Sequence, residues 1–121
     1  MKVNELMIGD WVLLWNKPQR VNYINLDDGE RIGTDKQYLA QIVEAFEPIS
    51  LTAEILEKNG FVRVDVGYRL KELYLTLSCS SCDDNPKVFW LGISDLECRV
   101  EYVHQLQHAL RLCGIDKEIV L

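Results

Sequence analysis

Ser50-Leu51-Thr52-Ala53-Glu54-Ile55-Leu56-Glu57-Lys58-Asn59-Gly60-Phe61 divides the chain into two parts of different character. Thr52 is a good helix N-cap, because its hydroxyl can accept from an orphan amide of the first turn. Leu51 and Leu56 occupy the two positions of a hydrophobic staple. Glu54 in the first turn and Lys58 in the last match the helix dipole. Gly60 can take the left-handed conformation that stops a helix, and Phe61 can fold back over its apolar face. The stretch predicts a short helix, and Pro48 closes what precedes it.

Upstream, the pattern is that of short strands. Trp11-Val12-Leu13-Leu14-Trp15 is β-branched and aromatic, set between the turn pair Gly9-Asp10 and Asn16-Lys17-Pro18. On such a strand Trp11 and Trp15 point the same way. Arg20 to Leu26 alternates, with Val21 and Tyr23 on one face. Leu26-Asp27-Asp28-Gly29-Glu30 then closes a hairpin, since Asp-Gly tolerates positive φ. Arg31 to Thr34 and Gln41 to Glu47 are the next strands. Short strands joined by tight turns suggest a small, bent antiparallel barrel.

Downstream, Val62, Val64, Val66, Tyr68 and Leu70 alternate with polar or small residues, as in a half-buried strand. Leu73, Leu75, Leu77 and Cys79 repeat the pattern, and Lys87 to Ile93 is a third strand. A second helix is predicted over Arg99 to Cys113, with Tyr102, Val103, Leu106, Ala109, Leu110 and Cys113 on one arc. Gly114 ends it, and Glu118 to Leu121 can add an edge strand. The expected fold is therefore α+β. A small β-barrel-like subdomain (residues 1–50) leads into a subdomain (51–121) ordered helix, three antiparallel strands, helix, short edge strand, the two packed as one unit.

Composition excludes several classes. The 121 residues include 13 Lys+Arg against 19 Asp+Glu, a net charge of −6. An acidic chain repels phosphate backbones and anionic membranes, which disfavours nucleic-acid binding and a membrane partner. Glu5 and Asp10 interrupt any signal-peptide-like apolar run, so the expected location is cytoplasmic. Four cysteines in a chain with an ample apolar core read as thiols, not as a disulfide framework.

Cys79-Ser80-Ser81-Cys82 is the strongest metal-like motif. With His104 and His108 it gives C-x2-C-x21-H-x3-H, in the order of a zinc finger but with a central spacer longer than the usual range of about 12 to 15 residues. Helical geometry puts His104 and His108 opposite the apolar arc, facing solvent, and Cys113 inside. The preferred reading is therefore no metal and no cofactor, with a small zinc-binding protein as an alternative. A Cys113–His104 or Cys113–His108 catalytic dyad fails on the same facing, and no catalytic set is assigned. Redox use of Cys79 and Cys82 is disfavoured by the neighbouring Asp83 and Asp84. Trp15, His104, Gln105 and His108 are the candidate partner-surface residues. A nucleic-acid-binding module is the other alternative, and it would have to rely on Lys17, Arg20 and Arg31.

Ile8-Gly9-Asp10-Trp11-Val12 looks like the opening of small barrels of the Src-homology-three kind, including those of ribosomal and transcription-elongation proteins. Taken with Pro48-Ile49-Ser50-Leu51-Thr52 and Tyr102-Val103-His104-Gln105-Leu106-Gln107, it resembles a family of small uncharacterised bacterial proteins associated with prophages or mobile elements. That resemblance implies an architecture and a genomic setting, not a reaction. The expected function is a non-enzymatic accessory or protein-interaction role.

Overall fold

A computed structural model describes residues 3–27, 29–37, 39–65, 67–70, 75–79, 88–93 and 96–121. Among the described residues the architecture is α+β, with two antiparallel five-stranded sheets and two helices. The chain divides into two compact units, residues 1–49 with 102–114, and residues 50–101 with 115–121. The second helix is grouped with the N-terminal strands.

In the first unit the strands are β1 (Trp11–Leu14), β2 (Lys17–Asn25), β3 (Arg31–Thr34), β4 (Gln41–Ile42) and β5 (Phe46–Pro48). They are ordered β4-β3-β2-β1-β5, and a single 3-10 turn, Val43–Ala45, separates β4 from β5. That turn splits the strand expected over Gln41 to Glu47. Leu6, Val12, Leu14, Val21, Ile32, Val43 and Phe46 form the core. Each such side chain taken from water is worth about 1.5–3 kcal/mol. Tyr23 is not on that face. A bulge between Val21 and Tyr23 shifts the register by one, so Val21 is buried and Tyr23 is exposed.

Trp15 also departs from expectation. Leu14 pairs with Lys17, so Trp15 and Asn16 are the two central residues of a hairpin, with φ +50° and +63°. Positive φ at both is the signature of a type I′ turn. Trp15 therefore leaves the strand it was expected to continue, and Pro18 lies in β2 opposite Leu13.

The helix α2 (Val103–Leu112) begins later than predicted, because Arg99 and Val100 end a strand. Gln105, three residues into α2, accepts from the Tyr102 amide at 3.1 Å and so caps the helix start. Cys113 is the C-cap, with φ −83° and ψ 0°. Helical periodicity no longer holds there, and the thiol expected inside is exposed.

The second unit opens with α1 (Ala53–Lys58), placed as the sequence predicts. The Thr52 hydroxyl accepts from the Ile55 amide at 3.2 Å, Leu56 is buried, and Gly60 follows with φ +88°. Five strands follow instead of three: β6 (Phe61–Val64), β7 (Gly67–Leu70), β8 (Leu75–Ser78), β9 (Phe89–Ile93) and β10 (Leu96–Val100), in a consecutive meander. The single strand read through Val62 to Leu70 is a hairpin in which Val64 pairs with Gly67. In that register Phe61 faces Leu70 and Val62 faces Arg69, so Phe61 is buried and Val62, expected on the inward face, is exposed. Phe61, Tyr68, Leu70, Leu77, Phe89, Leu91 and Val100 are buried, with Tyr68 and Phe89 edge to face at 6.2 Å.

No strand forms over Glu118 to Leu121. The Asn59 side chain takes its place. Its Oδ1 accepts from the Val120 amide and its Nδ2 donates to the Val120 carbonyl, both at 2.7 Å. Lys58 donates to the Leu121 carbonyl, and Ile119 is buried.

Candidate functional site

The polar residues of α2 meet the Gly9-Asp10-Trp11 corner within the first unit. Asp10 is fully buried, and its carboxylate is crowded with partners. Oδ2 accepts from the Met7 amide at 2.8 Å and lies 2.5 Å from Nε2 of His108. Oδ1 accepts from Arg111 at 3.3 Å. One turn away, Gln107 bridges the corner. Its Oε1 accepts from the Trp11 amide at 2.9 Å, and its Nε2 donates to the Gly9 carbonyl at 3.1 Å. Arg20 closes the other side, donating to the same carbonyl at 3.4 Å with its guanidinium 5.2 Å from the centre of the Trp11 ring.

His104 lies beneath this network, at 2% exposure. Its ring stacks on Tyr102 at 5.9 Å and meets His108 edge-on at 5.7 Å. Nδ1 is buried without a hydrogen-bond partner. Burial pushes its pKa below the ordinary value. The Asp10 carboxylate opposes that shift, the His108 ring reinforces it, and Glu5 opposes it more weakly.

The outward facing expected for both histidines is therefore overturned. The helix is buried on two sides, because the Asp10 corner covers the polar stripe that sequence periodicity assigns to water. His104, Gln107, His108 and Arg111 recur at i, i+3, i+4 and i+7, a second stripe beside the apolar one. That spacing was the available signal. It marks Gln107 on the same polar face as the histidines, whereas Asp10, outside the helix, gives no periodic signal and was missed.

Of the other candidates, Gln105 is half-buried as the cap of α2, and Trp15 stands 62% exposed at its hairpin tip. Cys79 is half-buried, and Cys82 lies outside the described residues, so the hairpin pair of the zinc alternative does too. Among the described residues no group of three or more His, Cys, Asp or Glu is arranged to hold a metal ion. A buried carboxylate orienting an imidazole is the first half of a nucleophile-activating arrangement. Among the described residues His108 bonds to Asp10 and to no serine, threonine or cysteine. Of the basic trio Lys17, Arg20 and Arg31, Arg20 is held by Gly9 and Trp11. Among the described residues no helix is long and apolar enough to cross a membrane.

Comparison with protein-family models, with curated proteins and with solved structures finds no match to this chain.

Proposed function

We propose that the protein is a non-enzymatic accessory protein that binds another protein, with Trp15 as its principal contact. The observation that carries this reading is the position of that side chain. A type I′ turn favours Asn or Gly at both central residues, because positive φ strains a residue with a bulky Cβ substituent. Here the first position holds a tryptophan at φ +50° whose ring is mostly in water. Neither turn chemistry nor burial favours it there, whereas a large, rigid aromatic on a fixed hairpin suits a binding anchor. The polar cluster at Asp10 lends further support, since its bonds hold the fold together.

The first unit is read as a small barrel of the Src-homology-three kind. What supports this is its strand order, with β5 returning to β1 after a 3-10 turn. A phage or mobile-element setting and a cytoplasmic location rest on the sequence resemblance and on the acidic charge.

The test is affinity capture from host lysate at moderate salt, with wild-type chain beside Trp15→Asn. A protein enriched reproducibly by the wild type and lost with the variant is the expected result. Reproducible enrichment of nothing, or equal enrichment by both, overturns the proposal.

A further inference from the structure

We propose that His104 is the trigger of an acid-sensitive latch that seats α2 against the Gly9–Trp11 corner. The geometry supplies each part. The corner is clamped to α2 by three side chains of the helix, Gln107, His108 and Arg111, which follow one another within little more than one turn. His104 sits one turn before Gln107 and His108, buried, stacked on Tyr102 and touching His108 edge-on.

A neutral imidazole suits that place, because one of its nitrogens need not donate. Protonation makes both nitrogens donors. Nδ1 then presents an N–H where the surroundings offer no acceptor. An unsatisfied buried donor that also bears charge is among the costliest groups a fold can hold.

Four charged or titratable neighbours bear on the outcome. Asp10 and Glu5 attract the new charge, His108 stands against it, and the Tyr102 phenol shares the stack. Asp10 is the strongest attractor, but both its oxygens are already occupied by Met7, His108 and Arg111. Its remaining pull is smaller than the desolvation of the buried ring, the largest influence on His104. Acidification therefore relieves the strain most cheaply by letting the His104 turn of α2 move toward water. Gln107 lies on the next turn, so its bonds to Trp11 and Gly9 loosen with it. The latch is closed at neutral pH and opens as pH falls below the ordinary histidine range.

Amide exchange and ring titration of the full chain test this directly. Protection of the Trp11 amide, whose acceptor is Gln107, is followed by NMR from about pH 7.5 to about pH 5 and corrected for intrinsic rates. The expected result is a several-fold loss of protection on acidification in the wild type and none in His104→Phe, which keeps a stacking ring without a titrating nitrogen. Unchanged protection in the wild type, or an equal loss in His104→Phe, overturns the proposal. If that variant does not fold, the His104 ring resonances of the wild type decide. Titration below the ordinary histidine value, moving together with Trp11 protection, supports the latch. Titration at or above that value overturns it.

Discussion

Nε2 of His108 lies 2.5 Å from Oδ2 of Asp10, a contact between residues 98 positions apart. It ties the second turn of α2 to the chain just before β1, and the same carboxylate receives Met7 and Arg111. Replacing Asp10 with alanine leaves all three donors without their acceptor. The helix-side partners are partly exposed, so water can recover some of the loss. Asp10→Ala should destabilise the chain by about 2–3 kcal/mol, and His108→Ala by about 1–2 kcal/mol. Urea unfolding measures both. The double variant should cost less than the sum, because the two side chains share one bond.

Gln107 offers a cleaner case, because it is neutral, buried and doubly bonded to backbone. Gln107→Leu fills the space yet leaves the Trp11 amide and Gly9 carbonyl unpaired. A loss of about 1–3 kcal/mol is expected from two unsatisfied backbone groups. A Gln107→Leu chain as stable as wild type in denaturant would show that the corner does not depend on this bridge.

Much of the fold was legible because local chemistry dictates it. Thr52, Leu56 and Gly60 specify α1 without help from distant residues. What sequence alone did not show depends on partners far away. The bulge after Val21 turns Tyr23 outward, the hairpin at Val64 and Gly67 leaves Val62 exposed, and Asn59 replaces a C-terminal strand with two side-chain bonds. The facing of His104 and His108 was hidden for the same reason. A polar stripe on a helix reads as solvated until something covers it, and Asp10 does so from the other end of the chain.

Gly67 should be the least replaceable glycine among those described. Its φ is +153°, and a Cβ there would fall 1.9 Å from the Leu77 carbonyl oxygen, a backbone atom that cannot step aside. Gly29, at φ +70° with open space around it, meets only the conformational penalty. Gly29→Ala should cost about 1 kcal/mol. Gly67→Ala should cost at least about 3 kcal/mol, since β7 must separate from β8 to admit the methyl group. Parallel thermal melts of the two variants give the ranking.

Stability should also fall with acid through His104. Its folded-state pKa lies below the ordinary value of about 6.5, so the unfolded chain binds protons first as pH drops. The contribution is full above about pH 6.5 and declines from there down to the depressed folded value, below which it falls no further. In urea titrations the midpoint should therefore drop below about pH 6.5, more steeply for wild type than for His104→Phe. Equal slopes would assign the acid response to the carboxylates.

Trp15 makes the opposite prediction, a substitution that strengthens the fold. The turn needs positive φ at residues 15 and 16, and Asn16 already suits it. Asparagine at position 15 would adopt φ +50° at lower cost than tryptophan, and the exposed ring gives up little packing. Trp15→Asn should raise stability by about 0.5–1 kcal/mol, read as a higher midpoint at unchanged denaturant slope. The same variant should lose the captured partner. A chain that becomes more stable while binding less is what an aromatic kept for contact implies. Should Trp15→Asn instead lower the midpoint, the indole supports the first unit and its exposure has no binding role to explain.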